Sequence, residues 1–163
     1  MTQWLPLVGV VIGAGLSFGT AHWMDRARYI RDERTYWRRE RLTALGDLVI
    51  ATKSYMAVLF RLAAARGLDD QTELLSSVEA EPLLALAFQD RDAAFERVRL
   101  VSGDDVVNAA REWVKLVYVM RSVLADESLD RPGWTSAVRD ANAARDEFHR
   151  VARRELEGGT IST

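Results

Sequence analysis

The feature that most constrains the fold is a run of 21 residues without a charged side chain, WLPLVGVVIGAGLSFGTAHWM, at 4–24. At 1.5 Å per residue, a helix of this length extends over about 31 Å, close to the thickness of the hydrocarbon core of a bilayer. Trp4 and Trp23 stand near its two ends, which is where interfacial indoles are found. Pro6 falls in the first turn, where its missing N–H costs little. The run predicts a transmembrane anchor over residues 1–24.

Two other interpretations of the run compete with a membrane span. A secretory signal would carry positive charge before the apolar stretch, but Thr2 and Gln3 supply none. Gly19-Thr20-Ala21 loosely resembles a small-residue cleavage site, so cleavage stays open. The buried helix of a soluble protein is the third interpretation, and it is weakened because four glycines are costly in a helix in water but common in membranes.

Charge follows the run at once. Residues 25–41 hold seven arginines and four acids, a net charge of +3. Because the whole chain has a net charge of −2, all other residues together carry −5. Basic residues stay on the cytoplasmic side of a span. We therefore expect a single-pass inner-membrane protein with its N-terminus outside and its C-terminal part in the cytoplasm. Trp4, Trp23, Arg26 and Arg28 are the predicted membrane-interface residues.

Small residues recur at every fourth position of the predicted span. Such spacing lets helix backbones approach closely, which is a common route to helix association in lipid. The pattern predicts self-association, or association with the span of a partner, through two overlapping sets: Gly9, Gly13, Ser17 and Ala21, and Gly15 with Gly19.

The connector at 25–41 predicts a basic juxtamembrane helix. At 100° per residue, Arg31, Arg34, Arg38 and Arg41 fall within about 80° of one another. In a straight helix, all four would stand more than a screening length of about 8 Å from the head groups. This stripe is expected to bind an acidic protein surface, in this chain or another, or anionic lipid if the helix bends onto the membrane. A solvated face that only fixes topology is the alternative.

Residues 42–157 predict a cytoplasmic antiparallel bundle of about four helices, followed by a flexible tail at 158–163. The first helix carries a heptad seam typical of a coiled coil and ends near Gly67. Pro82 is expected in the first turn of the second helix. Ser102 or an Asp is expected at the N-cap of the third helix. Arg131-Pro132-Gly133 predicts a turn, followed by a last helix from about Trp134 to Leu156. The predicted seam consists of Leu42, Leu45, Val49, Thr52, Met56, Leu59 and Ala63, widened by Leu48, Tyr55 and Leu62.

The inventory of chemical groups is small. The chain has no cysteine, and His149 is the only histidine of the predicted bundle, with Asp146 one turn before it. A di-metal site in a bundle would need two Glu-x-x-His motifs and two further carboxylates, and no glycine-rich phosphate loop is present. We therefore expect no catalytic residue, no cofactor and no metal, with His149 at the surface. Because the cytoplasmic part as a whole is acidic, we expect no nucleic-acid partner.

Three phrases of the sequence, YWRRERLTAL, FERVRLVSGDDVVNAAREWV and ARDEFHRVARREL, resemble small single-span proteins of unknown function encoded in many actinobacterial genomes. This resemblance implies a fold and a topology and transfers no active residue. The expected function is that of a membrane-anchored, non-enzymatic interaction protein: a scaffold, adaptor or regulator. The alternatives are a phage or mobile-element membrane effector, holin-like or an exclusion protein, and an enzyme with an unrecognised site.

Overall fold

A computed structural model describes the backbone of residues 5–70, 73–126 and 128–158, and within these the side chains of residue 33 and from residue 35 onward. This part of the chain folds into four α-helices and contains no strand. The helices are α1 (Leu5–Ala65), α2 (Ser77–Val101), α3 (Asp104–Leu124) and α4 (Arg131–Gly158). The all-α prediction is confirmed.

The chain divides into two compact units. Unit 1 is Met1–Arg39 and unit 2 is Glu40–Thr163. Unit 1 holds the first part of α1, and unit 2 holds the rest of α1 together with the other three helices. The predicted tail begins at Gly158, which is the last residue of α4, and its other residues lie outside the described part.

The core of unit 2 is built around large aromatic side chains. The rings of Trp113 and Phe148 stack with their centroids 5.5 Å apart, which joins α3 to α4. Trp134 of α4 meets Phe60 of α1 edge to face at 5.7 Å. Each buried aromatic side chain removes about 150–250 Å² from water, so these rings dominate the packing energy. Four large side chains are almost completely buried: Tyr55, Trp113, Trp134 and Phe148.

The heptad seam of α1 is buried over most of its length. The exceptions are Leu42, half of whose surface is exposed, and Val49 and Leu62, which are partly buried. On α2, Phe88 remains 37 % exposed. The seam residues that the structure buries are Leu45, Leu48, Thr52, Tyr55, Met56, Leu59 and Ala63.

Helix α2 begins earlier than predicted. Ser76 is its N-cap, and a capping box joins the Ser76 hydroxyl to the N–H of Glu79 and the Glu79 carboxylate to the N–H of Ser76. Pro82 therefore lies inside the helix, not in its first turn, and the carbonyl of Val78 lacks its helical N–H partner. The capping box fixes the start of the helix one and a half turns before the proline.

The starts of α3 and α4 also differ from the predictions. Gly103, not Ser102 or an Asp, is the N-cap of α3, and Ser102 is the C-cap of α2. Helix α4 starts at Arg131 because the Asp130 carboxylate accepts a hydrogen bond from the N–H of Gly133 at 2.9 Å. Since a proline is tolerated in a first turn, Pro132 belongs to the helix and does not mark a turn before it.

One segment of the described helices, Thr35–Ala65 of α1, is long and apolar enough to cross a membrane by length and composition. Core helices of soluble proteins meet the same criterion. The apolar run at 4–24 has a helical backbone from Leu5 onward, and its side chains lie outside the described part.

Candidate functional site

The residues predicted to work inside and beside the membrane lie in unit 1. Gly9, Gly13, Gly15, Ser17, Gly19 and Ala21 all occupy helical positions of α1. The side chains of these residues lie outside the described part of the structure. The same is true of the side chains of Trp23, Arg26, Arg28, Arg31 and Arg34. For Trp4, the backbone lies outside the described part as well. The predictions for these residues stay predictions.

An exposed aromatic pair near the end of unit 1 was not anticipated from the sequence. Tyr36 is 62 % exposed and Trp37 is 47 % exposed, and their rings meet edge to face at 5.9 Å. Arg38, the next residue, is exposed as well. An amphipathic aromatic pair beside a cation is the combination found at membrane interfaces and at protein contacts. The sequence signal for this pair is the two adjacent aromatic residues that precede the arginines in YWRR at 36–39.

Arg41, the last arginine of the predicted stripe, is engaged within unit 2. Its Nε donates to the carbonyl oxygen of Val101 at 2.7 Å and lies 3.8 Å from Glu155 Oε1. Glu155 also accepts a hydrogen bond from the N–H of Gly103 at 2.9 Å. Arg41 and Glu155 thus hold the junction between α2 and α3. An acidic group of the same chain was one of the expected partners for the stripe.

At the other end of α2 and α3, hydrogen bonds join the segment that follows α1 to the end of α3 and the start of α4. Arg131 donates to Asp70 Oδ1 at 2.8 Å and to the carbonyl of Gly67 at 3.1 Å. Arg66 donates to the carbonyls of Leu124, at the end of α3, and of Asp126. The carbonyl of Leu124 is one of the last four of α3, which have no partner inside that helix.

A shallow groove of about 460 Å³ lies beside the α2–α3 junction. Two acids at the start of α3 and a basic side chain, Arg154, share it. The N–H of Gly103, which would otherwise face an anion there, already donates to Glu155. The lining consists of Gly103, Asp104, Asp105, Val106, Val151, Arg154 and Glu155.

His149 is partly buried, and part of its side chain lies at the surface. Its ring lies 5.6 Å from that of Phe148 and 6.4 Å from that of Trp113. Burial lowers the pKa of His149 below its ordinary 6.5, and the positive charges of Arg145 and Arg153 lower it further. In the described part of the chain, no group of three or more His, Cys, Asp or Glu side chains is placed to hold a metal ion.

The most unusual side chain of unit 2 is Arg91, in the middle of α2. It is only 3 % exposed, and its guanidinium carbon lies 4.7 Å from the ring centroid of Tyr55 and 4.8 Å from that of Phe88. The cation therefore lies against two aromatic rings, one on α1 and one on α2. Desolvation lowers the pKa of Arg91, since burial disfavours the charged form.

Two buried nitrogen atoms of the Arg91 guanidinium have no hydrogen-bond partner among the described residues. Among the described residues, nothing accepts a hydrogen bond from its Nε or Nη1, and the buried hydroxyls of Tyr55 and Thr52 are also unpartnered. Buried polar groups are nearly always hydrogen-bonded, because an unpaired one costs about 1–3 kcal/mol and a charged one more.

The sequence contained a signal for Arg91 that went unused. The apolar face of α2 repeats at spacings of three and four through Leu84, Ala87, Ala94 and Val98, all of them buried. Position 91 completes that repeat, so an arginine stands where the helix needs an apolar residue. A polar residue on a buried face is more informative than the acids of the solvated face around it.

Comparison with known proteins gives no relative from which a role could be transferred. No protein-family model matches the chain, and neither a curated protein nor a solved structure is similar to it.

Proposed function

We propose that this protein is a membrane-anchored, non-enzymatic interaction protein, a scaffold, adaptor or regulator that presents a helical bundle at the inner face of the membrane. The observation that carries the proposal is the charge-free run at 4–24 followed by a segment, 25–41, with seven arginines and a net charge of +3. The run has the length of a span, and the arginines hold its C-terminal side in the cytoplasm.

The run at 4–24 is a better span than the second apolar segment, Thr35–Ala65. That segment carries the cations Lys53 and Arg61, and its apolar face is already used inside unit 2, where Leu48 and Leu59 are completely buried. A helix that packs this face against its neighbours has no need of lipid. We assign Thr35–Ala65 to the core and 4–24 to the membrane.

An antiparallel arrangement of the four helices is part of the proposal. Along α1, residues nearer its end contact residues nearer the start of α2 and of α4, as expected for antiparallel neighbours. For α3 and α4, Gly103 contacts Glu155 and Trp113 contacts Phe148, which gives the same direction. Such a bundle suits helices joined by short connections. The contacts that support it are Arg41 with Val101, Asp47 with Arg97, Tyr55 with Arg91, Arg41 with Glu155, Phe60 with Trp134, and Trp113 with Phe148.

The interaction role is supported by apolar side chains that unit 2 leaves exposed on α2. Val78 and Leu100 are more than 80 % exposed, and Leu86 is 58 % exposed. Helix α2 is therefore apolar on its outer face as well as towards the core, unlike a helix that only covers a soluble domain. Exposed apolar area of this kind is typical of contact surfaces.

The test is fractionation of two chains, the full chain and one lacking residues 2–24. We expect the full chain in the membrane fraction after an alkaline wash and the shortened chain in the soluble fraction with a native helical spectrum. A shortened chain that stays in the membrane with its helices intact would assign the span to Thr35–Ala65 and contradict the proposal.

A further inference from the structure

We propose that the interior of unit 2 holds a binding site for a small monovalent inorganic anion of the chloride class, formed by Arg91, Tyr55 and Thr52. The sequence predicted Thr52 and Tyr55 only as packing residues of the α1 seam and assigned no role to Arg91. The proposal does not depend on the membrane topology of the chain.

The donor set at this position lacks an acceptor. Nε and Nη1 of Arg91 are buried N–H donors without a partner, and the buried hydroxyls of Tyr55 and Thr52 can donate as well. Thr52 lies one turn before Tyr55 on the same buried face of α1. Two free N–H donors on a buried cation that lies 4.7 Å from the Tyr55 ring centroid, with no carboxylate paired to it, favour a ligand that only accepts and is negatively charged.

The charges around Arg91 do not neutralise it. The nearest acid by its electrostatic effect is Asp92, the next residue, which is exposed, and Arg121 of α3 adds a second positive charge. No ion pair in the described part of the chain includes Arg91. Because an uncompensated buried charge is very costly, a bound anion would offset a penalty that the chain itself does not.

The size of the ligand follows from the packing. Tyr55 and Thr52 are completely buried, so a monatomic ion needs less rearrangement than an organic carboxylate. Phe88 covers one face of the guanidinium and is 37 % exposed. Rotation of this partly exposed ring provides a route from solvent to the cation.

The test is thermal unfolding of the full chain in nanodiscs, followed by circular dichroism, while chloride replaces gluconate at constant ionic strength. The unfolding midpoint should rise along a saturable curve, by about 5 °C when chloride reaches ten times its dissociation constant. Arg91→Met removes the donors and should abolish the response, whereas Arg97→Met, an exposed position on the same helix, should keep it.

Two further measurements keep the test decisive if Arg91→Met does not fold. The line width of the chloride NMR signal should broaden with the wild-type chain and narrow when bromide competes. Tyr55→Phe, which keeps the ring and removes the hydroxyl, should weaken chloride binding about tenfold. A midpoint that does not depend on chloride in the wild-type chain, or that shifts equally in Arg91→Met, would overturn the proposal.

Discussion

Trp134 donates its indole N–H to Asp69 Oδ2 at 2.9 Å across 65 residues of chain. The indole is almost completely buried, so the bond satisfies a polar group that packing would otherwise leave unpaired. It also ties the segment after α1 to the first turn of α4. This contact links one of the two completely buried tryptophans of the core to the segment between α1 and α2.

Asp69→Ala should lower the free energy of unfolding by about 1–3 kcal/mol, because it leaves the indole N–H without its charged acceptor. The matched control is Asp70→Ala, since Asp70 pairs with Arg131 in an exposed ion pair worth less than about 1 kcal/mol. Urea unfolding of the chain without residues 2–24 measures both. Equal losses for the two variants would show that the indole bond contributes nothing specific.

Two glycine-to-alanine changes should have opposite signs. Gly46 lies inside α1, and a Cβ there would meet nothing within 4 Å, so Gly46→Ala should stabilise by about 0.5–1 kcal/mol. Gly67 has φ of 71°, which an alanine adopts only with strain, so Gly67→Ala should destabilise by about 1 kcal/mol. The shift in unfolding midpoint distinguishes them, and a stabilising Gly67→Ala would contradict the left-handed turn.

The stability of unit 2 should fall as the pH drops below about 6.5, through His149. Its folded-state pKa is lowered, first by burial and then by Arg145 and Arg153 with a smaller effect of Lys53, while Asp146 opposes them. The unfolded chain therefore binds the proton more tightly, and stability that is complete above the unfolded pKa is lost as the pH falls through the folded pKa.

His149→Gln should remove this part of the pH dependence. Unfolding free energies measured between pH 5 and 8 give the slope for both chains. The carboxyl groups of Glu79, Asp126 and Glu147 also have lowered pKa values, so a loss of stability at more acidic pH should remain in the variant. An unchanged slope between pH 5 and 7 would exclude His149 as its source.

Replacing Gly9 and Gly13 together by Ile should weaken any association of the span, because the added side chains keep the helix backbones apart. A single Gln3→Cys in this cysteine-free chain allows disulfide cross-linking in membranes. We expect the cross-linked fraction to fall severalfold, while Val8→Ile with Val11→Ile leaves it unchanged. Identical yields from both pairs would count against the small-residue face.

The sequence was sufficient for the number of helices in unit 2 and for most of their buried positions, because a repeat of three and four follows from helix geometry. It was insufficient for the ends of the helices, which are set by individual hydrogen bonds. The capping box at Ser76 moved the start of α2, and the carboxylate of Asp130 drew Pro132 into α4. Glu155, distant in sequence, supplies the partner that the N–H of Gly103 lacks locally.

The predicted site shows the same limit. A stripe of arginines can be placed on one face from spacing alone, but whether Arg41 is free depends on Val101 and Glu155, which only the tertiary fold brings to it. Arg91 was overlooked for the opposite reason. Its position was visible in the apolar repeat, but its lack of partners depends on the packing of α1.

The most direct test of the account is the accessibility of the two chain ends in intact cells. Because the chain has no cysteine, Thr2→Cys and Ser162→Cys each provide one thiol for a membrane-impermeant maleimide. We predict that Thr2→Cys is labelled in intact cells and that Ser162→Cys is labelled only after lysis. Labelling of Ser162→Cys in intact cells, or protection of both thiols until lysis, would contradict an anchor at 4–24 with the bundle in the cytoplasm.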